Sequence, residues 1–66
     1  MSNFAVYFPN TDLIQEVIAD GWDMPDVNKV TFFKGTWHED SEQYTNKQIV
    51  AVFNMNNIVG FRKIED

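Results

Sequence analysis

Residues 12–20, with the sequence DLIQEVIAD, decide between two folds for this chain. As a helix, the segment would gather its four large apolar side chains on one stripe, between a capping residue before it and a glycine after it. As a strand, the doubled apolar pairs Leu13-Ile14 and Val17-Ile18 would cover both faces of a curled sheet. The apolar spacing favours the helix. Two points favour the strand. The segment is short for a helix without a partner helix, and a small sheet needs one more strand to cover its edge.

Two other segments are typical of strands on their own. Residues 3–8 (NFAVYF) alternate Phe4, Val6 and Phe8 with other residues and end at a Pro-Asn pair. Residues 28–37 (NKVTFFKGTW) are rich in β-branched and aromatic side chains, which pack well on a pleated sheet. We therefore predict a strand over each segment.

The second half of the chain predicts two further strands. Residues 47–53 (KQIVAVF) and 58–64 (IVGFRKI) flank the short polar connection 54–57 (NMNN), so we expect them to pair as consecutive antiparallel strands joined by a tight turn. Residues 38–46 (HEDSEQYTN) have no apolar period and are predicted to form a polar loop.

These segments together predict one small domain over residues 1–66. The chain has no cysteine, so ten aromatic residues (two Trp, two Tyr and six Phe) and the aliphatic residues must supply its stability. We predict an all-β fold, a small antiparallel meander or a partly closed barrel of about five strands. The alternative is an α+β fold with the order β-α-β-β-β and a helix over residues 12–20.

Four stretches of the sequence carry a resemblance to known proteins: NFAVYFPN (3–10), VIADGWDM (17–24), VTFFKGT (30–36) and IVAVFNMNNIVGF (49–61). Their arrangement resembles short acidic β-rich proteins encoded by phages and other mobile elements, in which the corresponding segments are strands of a compact β-meander. The resemblance implies little about activity, because those proteins are largely uncharacterised. The stretch VAVFNMNNIVGF is also similar to the last two strands of SH3-like and Sm-like small barrels.

Charge is distributed unevenly along the chain. Ten acidic residues and five Lys or Arg give a net charge of −5, and residues 1–28 contain five acids with no Lys or Arg. This segregation predicts either a solvated face that keeps the protein soluble or an acidic surface that docks on a basic partner. Trp22 lies among these acids and is expected to act as a hydrophobic anchor, because Trp often contributes much of the affinity at interfaces. The residues predicted to bind the partner are Asp12, Glu16, Asp20, Trp22, Asp23 and Asp26.

The sequence offers little for catalysis or for cofactor binding. His38, Glu39, Asp40 and Glu42 lie close together, but their spacing matches no usual calcium or zinc motif. There is one histidine, no cysteine, no Gly-x-Ser-x-Gly elbow and no glycine-rich phosphate loop. We expect no enzymatic activity, no catalytic residue, no metal site and no cofactor.

The function predicted from the sequence is that of a non-enzymatic accessory protein, phage- or mobile-element-encoded, that binds a host or partner protein with a basic surface. One alternative is a structural protein that assembles through an edge strand, over residues 3–8 or 58–64. Another is a small barrel that binds single-stranded nucleic acid through its Lys, Arg and Phe side chains. No apolar run reaches the roughly 20 residues of a membrane span and no signal-peptide pattern is present, so a cytoplasmic location is expected.

Overall fold

The strands follow one another with short connections in the computed structural model, which describes residues 1–64. They are β1 (Ser2–Tyr7), β2 (Ile14–Ala19), β3 (Gly21–Asp26), β4 (Lys29–His38), β5 (Gln43–Asn54) and β6 (Gly60–Ile64). A short 3₁₀ turn (Met55–Asn57) precedes the last strand. The predicted all-β fold is confirmed.

Residues 1–64 form two antiparallel sheets of three strands each. The first sheet has the order β2-β1-β6 and the second has the order β3-β4-β5. Only Asp20 separates β2 from β3, and its backbone N–H donates a hydrogen bond of 2.7 Å to the carbonyl oxygen of Phe33. The chain therefore passes from one sheet to the other at this residue. The two sheets do not close into a barrel within residues 1–64.

The helix considered for residues 12–20 is wrong, because most of this segment is strand β2. It pairs with β1 over six residues, from Ser2 opposite Ala19 to Tyr7 opposite Ile14. Val17 and Ala19 are buried, whereas Ile14 and Ile18 are more than half exposed. The doubled apolar residues thus divide between the two faces of the sheet, and only every second side chain is needed by the core.

Phe32 lies at the centre of the core and is fully buried. Its ring centroid lies 5.1 Å from that of Phe4 and 5.3 Å from that of Phe61, both in the first sheet. The ring of Phe53 in β5 lies 5.9 Å away on its own sheet. Tilted and edge-to-face contacts of this kind are favourable between aromatic rings. One side chain of β4 therefore joins the two sheets.

The expected pairing of the last two strands with each other is wrong. β5 pairs with β4, and β6 pairs with β1 in the other sheet. The turn between them is held by the Asn54 side chain, which accepts a hydrogen bond from the backbone N–H of Asn56. Met55 N–H also donates to the carbonyl oxygen of Asn28 (2.7 Å). The turn carries the chain across from the second sheet to the first.

Two smaller expectations also need correction. The predicted loop over residues 38–46 shrinks to residues 39–42, because β4 ends at His38 and β5 begins at Gln43. Residues 3–8 are not an edge strand, since β1 lies between β2 and β6, whereas β6 does lie at an edge of its sheet. Across residues 1–64, no helix has the length and apolarity that crossing a bilayer requires.

Candidate binding cleft

An open cleft of about 730 Å³ lies where the start of β3 approaches β6 and the β4–β5 pair. Its size falls within the range of ligand pockets in proteins. The residues that line it are Ser2, Phe4, Asp20, Gly21, Trp22, Asp23, Phe33, Gln43, Tyr44, Lys47, Phe61, Arg62 and Lys63. Below, "the cleft" refers to this set.

Aromatic side chains form much of the cleft wall. The Trp22 indole meets Phe61 edge-on, with ring centroids 5.0 Å apart, although Trp22 remains 45% exposed. Phe33 and Tyr44 pack in the same way at 5.2 Å. Because its neighbour Phe61 holds it in place, Trp22 presents a large apolar surface with little freedom left to lose on binding.

Asp20 is engaged by the chain that surrounds it. Its Oδ2 accepts a hydrogen bond of 2.8 Å from the backbone N–H of Gly35, and the amino group of Met1 lies 4.0 Å from its Oδ1. The Tyr44 hydroxyl donates to the backbone carbonyl of Asp20 at 3.4 Å. This carboxylate holds β4 against the turn between β2 and β3, so its first role is structural.

Asp23 is paired as well. Lys47 Nζ lies 3.1 Å from Asp23 Oδ2 and 4.6 Å from the centre of the Phe33 ring. Both partners of the ion pair are almost half exposed, so the pair contributes at most about 1 kcal/mol to stability. The pair nevertheless fixes a cation over an aromatic ring at the cleft wall.

The structure brings together only part of the predicted partner-binding set. Asp20, Trp22 and Asp23 line the cleft, whereas Asp12, Glu16 and Asp26 lie outside it. These three outer acids do not form part of the same wall. Asp12 precedes β2, Glu16 lies opposite Ala5 on the first sheet, and the Asp26 side chain accepts a hydrogen bond from Asn28 N–H beyond β3.

The sequence-based set missed the basic and aromatic residues that other strands bring to the cleft. They are Phe33, Tyr44, Lys47, Phe61, Arg62 and Lys63. The lining residues therefore include two acids and three bases, and both carboxylates have partners. The Arg62 guanidinium is hydrogen-bonded to the Tyr7 hydroxyl on the opposite face of the first sheet, so the cations whose side chains can face the cleft are Lys47 and Lys63. The sequence signal for this part of the cleft is the run Phe61, Arg62 and Lys63, but the same pattern is also expected where a Phe simply packs in the core.

This arrangement is suited to binding a molecule that has both a flat or apolar part and charged groups. The lining residues supply aromatic faces, two engaged carboxylates and cations, but neither histidine nor cysteine. Among residues 1–64, no three His, Asp or Glu side chains come together in a way that would hold a metal ion. Comparisons of the chain with protein-family models, with curated proteins and with solved structures give no match.

Proposed function

We propose that this chain is a non-enzymatic, protein-binding accessory protein of the cytoplasm, encoded by a phage or another mobile element. Its partner is a host or partner protein with a basic surface. The observation that carries the proposal is the state of Trp22, which is 45% exposed at the mouth of the cleft and held edge-on against Phe61. Pre-positioned, partly exposed Trp side chains are typical of the energetic centres of interfaces.

The acids outside the cleft supply the electrostatic part of this proposal. Asp12, Glu16 and Asp26 are exposed, and no Lys or Arg lies within ion-pair distance of them in residues 1–64. Exposed charges around an interface mainly raise the association rate and make it sensitive to salt. The partner is therefore expected to associate through these acids and to be retained through Trp22.

The test is affinity capture from a cell lysate with the wild type, Trp22→Ala and Trp37→Ala at low and at high salt. Trp37 is the matched control, because it is 48% exposed but does not line the cleft. We expect one defined protein to be captured by the wild type and by Trp37→Ala, with at least about tenfold less on Trp22→Ala. Added salt should reduce capture in every case.

A second pair of variants tests the charge component separately. Asp12→Lys and Asp26→Lys should slow association with the captured protein and reduce its salt dependence, while the dissociation rate changes little. Circular dichroism spectra of all variants establish that each remains folded. Equal capture by Trp22→Ala and the wild type, or capture that is indifferent to salt, would contradict the proposal.

One observation favours a second candidate function, binding of single-stranded nucleic acid. Lys63 of β6 and Lys47 of β5 line the same cleft as Phe61 and Trp22, so cations and stacking surfaces meet there. Aromatic stacking combined with a basic groove is the usual basis of such binding. Titration of a mixed-sequence oligonucleotide at about 50 mM salt decides this question, because such binding weakens steeply as salt is added. An absence of binding at that salt concentration removes this candidate.

A further inference from the structure

The face of the first sheet that points away from the core presents an ordered array of side chains. The strand register places three residues side by side in each row. From β2 through β1 to β6, the rows are Ile18-Asn3-Ile64, Glu16-Ala5-Arg62 and Ile14-Tyr7-Gly60. Below, "the outer face" refers to these nine residues.

Apolar side chains are exposed on one side of the outer face. Ile14 is 55% exposed and Ile18 is 53% exposed, and the adjacent Leu13 is 74% exposed. Ala5, at the centre of this face, is only 3% exposed and does not belong to the core cluster. Exposed apolar side chains grouped on one surface and rimmed by polar residues are typical of interaction sites.

The charged residues of the middle row are arranged in a self-complementary way. Glu16 and Arg62 lie on opposite sides of Ala5, about 10 Å apart across two strand spacings. Arg62 Nε donates a hydrogen bond of 2.8 Å to the Tyr7 hydroxyl, which keeps the guanidinium over this face. Among residues 1–64, neither Glu16 nor Arg62 takes part in an ion pair.

A two-fold axis parallel to the strands exchanges the positions of β2 and β6 between two stacked copies. Glu16 of each copy then faces Arg62 of the other, Ile18 faces Ile64, and the axis passes over the buried Ala5 position at the centre. An axis perpendicular to the strands would instead place Glu16 against Glu16 and Arg62 against Arg62, which is repulsive. The pattern of charges therefore selects one arrangement of two identical copies.

We propose that the outer face is a homodimer interface, in which two copies of this chain stack sheet on sheet and form two reciprocal Glu16–Arg62 ion pairs. A second copy fits this face because Glu16 of each copy lies opposite Arg62 of the other, so no further partner is needed to neutralise either charge. Three strands of five or six residues form a small face, so the dimer is weak and forms in the micromolar range at low salt. Trp22, Asp12 and Asp26 take no part in it, and Glu16 is the one docking acid that the dimer would also use, so this inference goes beyond the proposed function.

The test is the mass of the purified full chain in solution, measured by sedimentation from low to high micromolar concentration at low salt. The wild type should pass from monomer to dimer. Glu16→Arg and Arg62→Glu should each weaken the dimer at least about tenfold, because each places like charges opposite one another. The double variant Glu16→Arg/Arg62→Glu restores both ion pairs and should return the dimer to wild-type strength.

Matched controls separate local pairing from net charge. Glu39→Arg changes the net charge as Glu16→Arg does, and Lys34→Glu changes it as Arg62→Glu does, but both residues lie away from the outer face. Both controls should form dimers like the wild type. A wild type that remains monomeric at high micromolar concentration, or a double variant that is no stronger than the single ones, would overturn the proposal. Trp22→Ala should dimerise normally, so failure of the proposed partner binding leaves this measurement unaffected.

Discussion

Two regions of the molecule differ in what stabilises them. The region around Phe32 has a buried apolar core, whereas the far end of the β4–β5 hairpin, residues 34–48, does not. The nine buried hydrophobic residues found within residues 1–64 all lie outside residues 34–48. In the hairpin end, Trp37 packs on Tyr44 with ring centroids 4.9 Å apart, and His38 Nε2 lies 2.7 Å from Thr45 Oγ1. These contacts join neighbouring strands only. Below, residues 34–48 are called the distal hairpin and the rest of residues 1–64 the body.

The difference shows which contacts fix the fold. In the body, Phe32 contacts rings of both sheets, so its loss affects the whole structure. In the distal hairpin, Gly35 and Tyr44 hydrogen-bond to Asp20 and Lys47 pairs with Asp23. The contacts nearer its tip, such as Trp37 with Tyr44, join residues that the backbone ladder already aligns. Regions with few buried apolar contacts open locally at a lower free energy than the whole domain. The distal hairpin should therefore open before the body unfolds.

The largest effect is expected for Phe32→Ala in the body. Removing a fully buried Phe costs about 3–5 kcal/mol. The whole chain is expected to be stable by only roughly 3–10 kcal/mol, from its 66 residues. Urea denaturation followed by circular dichroism should show the free energy of unfolding of this variant reduced by about 3–5 kcal/mol, roughly a third or more of the total. Phe32→Leu is the control, and it should keep the fold with a smaller loss. A Phe32→Ala variant as stable as the wild type would refute the central role of this ring.

The second-largest loss of stability is expected for a substitution at Gly21, the first residue of β3, which lines the cleft. A Cβ atom at this position would lie 2.9 Å from the tip of the Phe33 ring. This ring is buried and lies between Tyr44 and the Lys47 ammonium, so it has little room to move. Gly21→Ala should cost about 1–3 kcal/mol in urea denaturation.

Gly60→Ala is the matched control for this prediction. It is also a strand residue, but nothing lies within 4 Å of the position of its Cβ atom. Its free energy of unfolding should stay within about 0.5 kcal/mol of the wild type. Equal losses for the two variants would mean that the contact with Phe33 is not the cause.

Local patterns in the sequence predict the strands of the body well. The predicted segments 3–8 and 28–37 differ from β1 and β4 by one residue at each end. Their alternation matches the burial of Phe4, Val6, Val30 and Phe32, so the period itself identifies these strands. Residues 43–46 were missed as a strand, because in the distal hairpin no core selects apolar residues on either face.

Local alternation of apolar residues does not predict which distant strands pair. β5 and β6 are neighbours in sequence, yet their partners are β4 and β1, and the contacts of Phe32 with Phe53 and Phe61 accompany that choice. The cleft depends on the same pairing. Trp22 is recognisable because acids surround it in the sequence, whereas Phe61 and Lys63 reach the cleft only because β6 pairs with β1 from the other end of the chain.

The smallest effect on global stability is expected for Trp37→Ala in the distal hairpin. Trp37 is 48% exposed and its ring contact with Tyr44 lies between paired strands. An aromatic pair of this kind contributes about 0.5–1.5 kcal/mol, so the free energy of unfolding should fall by about 1 kcal/mol or less. The effect should be concentrated in hydrogen exchange, where the backbone amides of residues 34–48 should exchange several times faster. Those of β1 and of Phe32 should change little. If Trp37→Ala accelerates exchange in both regions equally, the distal hairpin and the body unfold as one unit, and the distinction between them fails.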